Sequence, residues 1–375
     1  MTLSLVPTED EVMLRDSARA FLAETSPVSA LRANRDSGKP YAAELWREMA
    51  ALGWTGVLLP EEAGGSDMGH RAAGILAEEM GEVLAASPFL STAVIAATAL
   101  RKAGSARLST IADGAVTYAL AIDEQAKFSP DRSALQAVRA GNGYRLTGRK
   151  CFVAEGSSAD RILVLARTAG TPGDSHGLTL FDLDATRAGL TRTRVATIDS
   201  RDHATLDFDA VDATGEDILG EVDGARSIIH TALNAGQAGI AAELLGLTSG
   251  AFGMTAGYLR ERRQFGRTIG SFQALQHRAA HLWTEIEITA SAVANAGRIL
   301  DSTPDAADLA VSVAKARATA TAKLAVSEGV QMHGGIGMTD EFDMGFFMKR
   351  ARVGAEWLGD YGYHAARVAA ARGFA

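Results

Sequence analysis

Two segments in the last third of the chain contain the residue types that bind phosphate groups. Residues 262–267 read RRQFGR, and Phe272 and Gln273 follow at the start of a predicted helix. An arginine near a helix end, beside a glycine that allows close backbone approach, can hold a pyrophosphate through charge-assisted hydrogen bonds. A solvated basic turn is the alternative interpretation of this segment.

The second segment ends a predicted helix in a cluster of glycines. Residues 331–338 read QMHGGIGM. Glycine accepts a positive φ without penalty, so a helix C-cap followed by a turn is one interpretation. Close approach of the backbone to a cofactor is the other, and neither segment decides the matter alone.

The elements around these segments change character twice along the chain. Residues 1–112 are predicted to be helical, and Thr8 with Glu11 forms a capping box at the first helix. Residues 113–225 contain short apolar runs and, at 204–209, the alternation of a half-buried strand. A turn is predicted at residues 141–143 (GNG). The sequence therefore predicts an α+β fold, with an N-terminal helical domain, a middle β-barrel domain and, over residues 226–375, a C-terminal helical bundle.

Within the last domain, a long Ala/Gly-rich helix is predicted from Arg226 towards Arg262. Thr303 and Pro304 are the predicted N-cap and first turn of a later helix. The predicted buried stripe of that helix, at spacings of three and four, is Leu309, Val313, Ala316, Ala320 and Leu324.

Composition excludes several classes of function. A formal net charge of −8 argues against nucleic acid as the main partner, because phosphate backbones need clustered cations. The one cysteine, Cys151, rules out an internal disulfide and a cysteine-based zinc site, and no metal site is predicted. The sequence shows neither a secretory signal nor an apolar run long enough to span a membrane. We therefore expect a cytoplasmic protein.

In their order and spacing, the two segments resemble the flavin motifs of the acyl-CoA dehydrogenase family, which read close to R-x-x-F-G, F/H-Q and Q-x-x-G-G-x-G. Residues 46–54 (WREMAALGW), 59–65 (LPEEAGG) and 148–150 (GRK) also look like that family. The resemblance covers nearly the whole chain, and the helix–β–helix order agrees with it.

The resemblance implies FAD as cofactor, an acyl-CoA thioester as substrate and electron-transfer flavoprotein as acceptor. Arg262 and Gln264 would meet the pyrophosphate and ribityl region of FAD in a neighbouring subunit. The adenosine side of the same cofactor would be lined by Gln273, Gln331, Met332, His333, Gly334 and Gly335, and Phe272 would also bind the cofactor. An oligomer with active sites between chains is therefore expected.

The sequence departs from the family at the catalytic base, a glutamate that removes the α-proton of the thioester. One of the family's two base positions is here Leu358, in a stretch that reads AEWLGD, and the other is Gly236-Gln237. The nearby carboxylates Glu243, Glu356 and Asp360 are candidate relocated bases, although a surface or ion-paired role is the alternative for each.

The middle domain departs as well, because Ala154 stands where the resemblance implies a hydroxyl and residues 123–129 (DEQAKFS) lack the family's glycines and hydroxyls. The chain keeps the motifs offered to a neighbour's FAD and loses those that hold its own flavin ring. This asymmetry favours a mixed oligomer with a second acyl-CoA dehydrogenase chain, resembling the steroid side-chain type. The alternatives are a homo-oligomer with a relocated base or base-independent chemistry such as desulfination, and a non-catalytic structural subunit.

Overall fold

The computed structural model describes residues 5–374 of the 375-residue chain. Its helices are α1 Glu9–Thr25, α2 Val28–Ser37, α3 Ala43–Ala51, α4 Gly69–Glu82, α5 Ala97–Lys102, α6 Ala225–Glu261, α7 Gln273–Ser302, α8 Asp308–His333, α9 Met344–Glu356 and α10 Tyr361–Ala371. Its strands are β1 Tyr118–Ala121, β2 Gln136–Ala140, β3 Gly143–Ala154, β4 Arg161–Arg167, β5 Leu178–Asp184, β6 Leu190–Arg194, β7 His203–Ala213, β8 Arg263–Gln264 and β9 Arg267–Thr268. A π-helix over Phe89–Ala96 precedes α5. The predicted order of helices, strands and helices is confirmed.

The described chain forms two compact units. The helical unit consists of residues up to 33, residues 70–85 and residues from 237 onward, and the β unit consists of residues 34–69 and 86–236. The predicted division into domains 1–112, 113–225 and 226–375 follows the change of element type and stays a prediction.

Glycines bring α4 and α6 of the helical unit into backbone contact. A Cβ added to Gly246 would lie 1.7 Å from the backbone oxygen of Glu78, and one added to Gly81 would lie 2.1 Å from that of Glu243. Only a residue without a side chain fits at these crossings. The close approach fixes the rotation of α6 and hence the direction in which its other side chains point.

The β unit is built on a seven-stranded mixed sheet in the order β1-β4-β2-β3-β7-β6, with β5 also paired to β4. The predicted turn at 141–143 joins β2 to β3, with Ala140 opposite Gly143. Leu206 and Phe208 of β7 are buried, as the alternation predicts. Among the described residues, no strand pairing closes this sheet into a full barrel.

The first helix is capped as predicted, since Thr8 Oγ1 accepts from Glu11 N and Glu11 Oε2 accepts from Thr8 N. The prediction for Thr303 was wrong in part. Thr303 and Pro304 begin only a 3₁₀ turn, Pro304–Ala306, and the α-helix starts at Asp308.

The predicted buried stripe of α8 was also wrong. The helix has the predicted periodicity, but Leu309, Val313 and Leu324 are half-buried and Ala320 is exposed. Up to residue 326, the buried residues are instead small ones and one cation: Val311, Ser312, Ala314, Lys315, Ala318, Thr319, Thr321, Ala322, Ala325 and Val326. Gly329, Met332 and His333 continue the buried face to the end of the helix. Side-chain size misled the prediction, because close helix packing selects small residues over Leu.

Candidate functional site

Gln237, the neighbour of one position at which the resemblance places a base, contacts the other position, Leu358, within the helical unit. The Leu358 carbonyl oxygen accepts from Gln237 Nε2 at 3.1 Å, and it lies 3.2 Å from His364 Nε2. Gln237 directly follows Gly236 in α6, while Leu358 lies in the loop between α9 and α10. Leu358 has a φ of +58° and a buried side chain. Neither position provides a carboxylate.

Lys315 holds the same loop from the buried face of α8. Its Nζ donates to the carbonyl oxygens of Gly354 at 3.0 Å, Ala355 at 3.1 Å and Gly359 at 3.1 Å. Two of these carbonyls belong to the last turn of α9, which has no intrahelical donors for them. Burial lowers the pKa of Lys315 to about 7.

His364 completes the loop's contacts as a neutral imidazole. Burial, together with the nearby charge of Lys315, lowers the pKa of His364 to about 4. The bond to the Leu358 oxygen requires a hydrogen on Nε2, and Nδ1 then faces the Ser312 hydroxyl at 3.4 Å. This histidine therefore contacts the loop through Nε2 and α8 through Nδ1.

Each candidate relocated base has a bond that ties it to the fold. Glu243 is buried and pairs with Arg350 through two bonds, at 2.7 Å to Nε and 3.0 Å to Nη2. Glu356 is exposed and lies 3.1 Å from Arg352, one turn earlier in α9. The carboxylate of Asp360 caps α10 by accepting from the Tyr363 amide at 2.8 Å. The ion-paired or surface role stated as the alternative describes these contacts.

The RRQFGR segment forms a short, exposed hairpin at the end of α6. Strands β8 and β9 pair across a turn at Phe265, whose φ is +53°, and the Phe265 side chain is 89% exposed. Arg262 and Gln264 are exposed, and within residues 5–374 no carboxylate pairs with the guanidinium of Arg262 or Arg263.

Phe272 and Gln273 differ in what their side chains contact. Phe272 is half-buried, with the Arg267 guanidinium 4.1 Å above its ring and the Phe265 ring 6.2 Å away. Gln273, the first residue of α7, is exposed. Of this pair, Gln273 is the residue with a side chain free to meet a bound group.

The QMHGGIGM segment likewise contains both buried and exposed residues. Met332 and His333 are buried, with the His333 ring between Tyr258 at 4.5 Å and Phe342 at 4.6 Å. Gln331, Gly334 and Gly335 are exposed. Only part of the segment that was predicted to line the adenosine therefore lies on the surface.

Two observations indicate that these exposed residues are suited to bind a phosphate-bearing cofactor. The exposed Arg262 side chain forms no ion pair with a carboxylate of residues 5–374. Gly335 has no positive φ, and a Cβ added there would meet nothing within 4 Å of this chain. Because nothing described in the chain itself requires glycine at 335, close approach of a group from outside is a physical reason for it.

Comparison with known proteins shows the family of the chain. Residues 8–109 match the N-terminal domain of acyl-CoA dehydrogenases and residues 223–372 match the C-terminal domain. The chain is 30% identical to acyl-CoA dehydrogenase IpdE2 of Mycobacterium tuberculosis over 357 residues, which cover 94% of each protein. The chain belongs to the acyl-CoA dehydrogenase family.

Two further relatives carry names that describe assemblies. The caffeyl-CoA reductase–Etf complex subunit CarC of Acetobacterium woodii is 29% identical over 364 residues, covering 92% of this chain and 93% of CarC. The solved Tcur3481–Tcur3483 steroid ACAD, a variant, superposes with a TM-score of 0.87 at 32% identity, covering 97% of this chain and 98% of the other. As a member of this FAD-dependent family, the chain is an oxidoreductase acting on CH–CH bonds.

The β unit of this acyl-CoA dehydrogenase contains functional candidates that sequence reasoning missed. The segment 123–129, described from the sequence as lacking family features, begins at a carboxylate with a buried oxygen, Asp123 Oδ1, that has no partner among the described residues. Phe152 on β3 has a φ of +51° and is 51% exposed. A non-glycine residue with positive φ beside a register shift is a signal that only coordinates provide.

Two absences complete the description of the acyl-CoA dehydrogenase fold. None of the helices within residues 5–374 is long and apolar enough to cross a membrane. Over the same residues, no group of three or more His, Cys, Asp or Glu side chains is arranged to hold a metal ion.

Proposed function

We propose that this chain is the subunit without a catalytic base in a mixed acyl-CoA dehydrogenase oligomer, which dehydrogenates an acyl-CoA thioester between Cα and Cβ. The observation that supports this most is the contact between Gln237 and the Leu358 carbonyl. It joins Gln237, the neighbour of Gly236, to Leu358, and neither base position carries a carboxylate.

The reaction requires a base, so the lack of a carboxylate at both positions bears directly on activity. An α-proton beside a thioester is only weakly acidic, so its removal needs a positioned carboxylate. When bound, FAD supplies the hydride acceptor of the reaction. In this chain an apolar side chain, a neutral histidine and an amide occupy the region where the proton would be received.

The chain's own contribution is to bind the cofactor of a neighbour. Arg262 and Gln264 contact the pyrophosphate and ribityl part, and Gln273 and Gln331 contact the adenosine side. Gly334 and Gly335 allow the backbone to approach the cofactor. For Met332, His333 and Phe272 we propose support of these residues from behind, because their side chains face the fold.

The partner is a second acyl-CoA dehydrogenase chain that carries the glutamate, and the electron acceptor is an electron-transfer flavoprotein. Support comes from relatives whose names describe a steroid ACAD of two proteins and a complex with Etf. Sedimentation tests the assembly. A 39 kDa species that retains its full complement of FAD would contradict active sites completed between chains.

Co-expression tests the division of labour. We expect activity when the chain is produced together with a homologous chain that carries the glutamate, and loss of activity when that glutamate is changed to glutamine. If the glutamine variant of the partner leaves the mixed oligomer active, the base lies on this chain and the proposal is wrong. Glu243→Gln, Glu356→Gln and Asp360→Asn would then identify the relocated base.

A further inference from the structure

The first part of α7 presents two histidines that are one helical turn apart. His277 and His281 are both exposed on this helix, which runs from Gln273 to Ser302. Residues four apart on an α-helix lie on the same face, with their Cβ atoms about 5–6 Å apart. Among the eight histidines of the sequence, no other two are three or four residues apart. Helix geometry therefore brings these two imidazoles side by side without the help of any distant residue.

Neither imidazole of this pair contributes to the packing of the fold. Within residues 5–374, neither His277 nor His281 makes a hydrogen bond, an ion pair or a ring contact. The buried His333 and His364, by contrast, each lie within hydrogen-bond distance of a backbone oxygen, at 2.7 Å and 3.2 Å. An imidazole nitrogen without an internal partner has its lone pair available for a metal ion.

The helix that contains the pair is fixed to its neighbour α8. Arg278 donates to Glu328 at 2.5 Å, and Glu285 accepts from Arg317 at 2.6 Å. Leu282, which directly follows the second histidine, is buried. Arg278 and Glu285 are the charged residues of α7 within four positions of the pair, and both charges are compensated by these ion pairs. The backbone at the two histidines is therefore held in place, and only two side chains must be ordered when a ligand binds.

We propose that His277 and His281 form a binding site for a divalent transition-metal ion, with one nitrogen ligand from each imidazole. Imidazole is a ligand that suits zinc, copper and nickel, and helices of the H-x-x-x-H type present two histidines to zinc at this same spacing. Because no group of three or more His, Cys, Asp or Glu side chains within residues 5–374 is arranged around a metal, water fills the remaining coordination positions. This inference is independent of the proposed function.

Two nitrogen ligands also determine which ions the site accepts. The affinity of nitrogen ligands for divalent metals rises towards copper, so Cu²⁺ should bind more tightly than Zn²⁺. Mg²⁺ requires oxygen ligands in octahedral geometry, and the pair should not bind it. A site with only two protein ligands exchanges its metal with solvent, unlike the closed four-ligand sites that stabilise small folds.

Calorimetric titration of the untagged, full-length chain with Zn²⁺ tests the site. We expect one ion per chain at this site. His277→Ala and His281→Ala should each weaken binding about 10²-fold, because the second imidazole of a pair binds intramolecularly. His230→Ala is the matched control, since His230 is exposed on α6 and has no His, Cys, Asp or Glu three or four residues away. This variant should bind Zn²⁺ as the wild type does.

A second variant separates chelation by the pair from binding to two independent histidines. The double substitution His281→Thr/Thr284→His keeps the composition and exchanges two exposed positions of α7. Its histidines at 277 and 284 share one face of the helix but lie about 10 Å apart along the axis, too far to share one ion. The double variant should therefore lose about 10²-fold in affinity, as the single alanine variants do.

Three results would overturn the inference. These are a wild-type chain that takes up no Zn²⁺, alanine variants that bind it as tightly as the wild type, and a double variant that retains wild-type affinity. Circular dichroism of each variant confirms that the fold is intact, as expected for substitutions at exposed positions. None of these results bears on the proposed function, which Arg262→Ala tests separately through FAD binding.

Discussion

Within the helical unit, the polar groups at the start of the α6 segment are bonded inside the chain, whereas those at its end are exposed. At its start, Gln237 joins Lys315 and His364 in bonding the loop that contains Leu358. At its end, Arg262 enters an exposed hairpin, and no carboxylate of the described chain pairs with it. Polar groups bonded within the chain indicate structure, whereas charges without an internal partner indicate binding to something outside it.

The loop at Leu358 has a strained backbone conformation, and hydrogen bonds from neighbouring helices stabilise it. A left-handed conformation costs a non-glycine residue about 1–2 kcal/mol. Bonds from Gln237 and Lys315 and the contact with His364 offset that cost. The region where a base would lie has therefore become part of the helical unit's packing.

The largest effect is expected from restoring the base. Leu358→Glu should raise the rate of acyl-CoA dehydrogenation by the FAD-loaded chain about 10²–10⁴-fold, the usual contribution of a general base. Leu358→Gln is the matched control, since it introduces a side chain of similar size without a proton acceptor. Equal rates for the two variants, with FAD and substrate bound, would show that more than the base is missing.

Removal of Lys315 should have the next largest effect. Lys315→Met leaves three carbonyl oxygens without their donor. We expect the free energy of unfolding to fall by about 3 kcal/mol in chemical denaturation. Lys323→Met, at an exposed position of the same helix, should change it little. A small loss at Lys315 would mean that the loop does not depend on this cation.

The pH dependence of the Lys315 effect has a definite sign. Its pKa is lowered to about 7 in the folded chain, below the unfolded value of 10.5. Between these values the unfolded chain binds more protons, so stability should rise with pH relative to Lys315→Met. Denaturation of both proteins at several pH values measures this difference, and a difference that shrinks as pH rises contradicts it.

The exposed end of α6 should respond in cofactor binding and not in stability. Arg262→Ala should lower FAD affinity at least about tenfold, because a charge-assisted bond to pyrophosphate is lost. Arg260→Ala, just before the motif and also exposed, is the control. Flavin content that survives dialysis unchanged in Arg262→Ala would remove the contrast between the two ends of α6.

Asp123 in the β unit should give the smallest effect. The pKa of Asp123 is about 6 in the folded chain, above the ordinary aspartate value of 3.8, so the folded chain binds more protons between these values and loses stability as pH rises through them. Without FAD, Asp123→Asn should therefore be more stable than the wild type near pH 8, by about 1 kcal/mol. Equal melting temperatures at that pH would show that the carboxylate is adequately solvated.

The sequence was sufficient for predictions that depend on local pattern. The capping box at Thr8, the turn at 141–143 and the change from helices to strands and back follow from neighbouring residues. Motif spacing was enough to predict a connection after the long helix at Arg262, and it identified residue 358 as a base position without a carboxylate. In these cases the relevant chemistry lies within a few residues of the chain.

Predictions failed where distant residues decide the outcome. The contact of Gln237 with Leu358 joins residues 121 apart, and that of Lys150 with Glu124 joins residues 26 apart. A lysine on the buried face of α8 violates the hydrophobic pattern, so the predicted stripe fell on the wrong residues. The Asp123 Oδ1 atom, which has no hydrogen-bond partner among residues 5–374, has no sequence signature, because its surroundings come from residues distant in the chain.

Anaerobic mixing of the isolated, FAD-loaded chain with a series of acyl-CoA thioesters tests the central claim most directly. Flavin absorbance reports hydride transfer in a single turnover, without an electron acceptor. If the chain lacks a base, the flavin should stay oxidised on a timescale about 10²–10⁴ times longer than in the mixed oligomer with a glutamate-bearing partner. Rapid bleaching by the isolated chain, abolished by Glu243→Gln, Glu356→Gln or Asp360→Asn while FAD stays bound, would contradict the account.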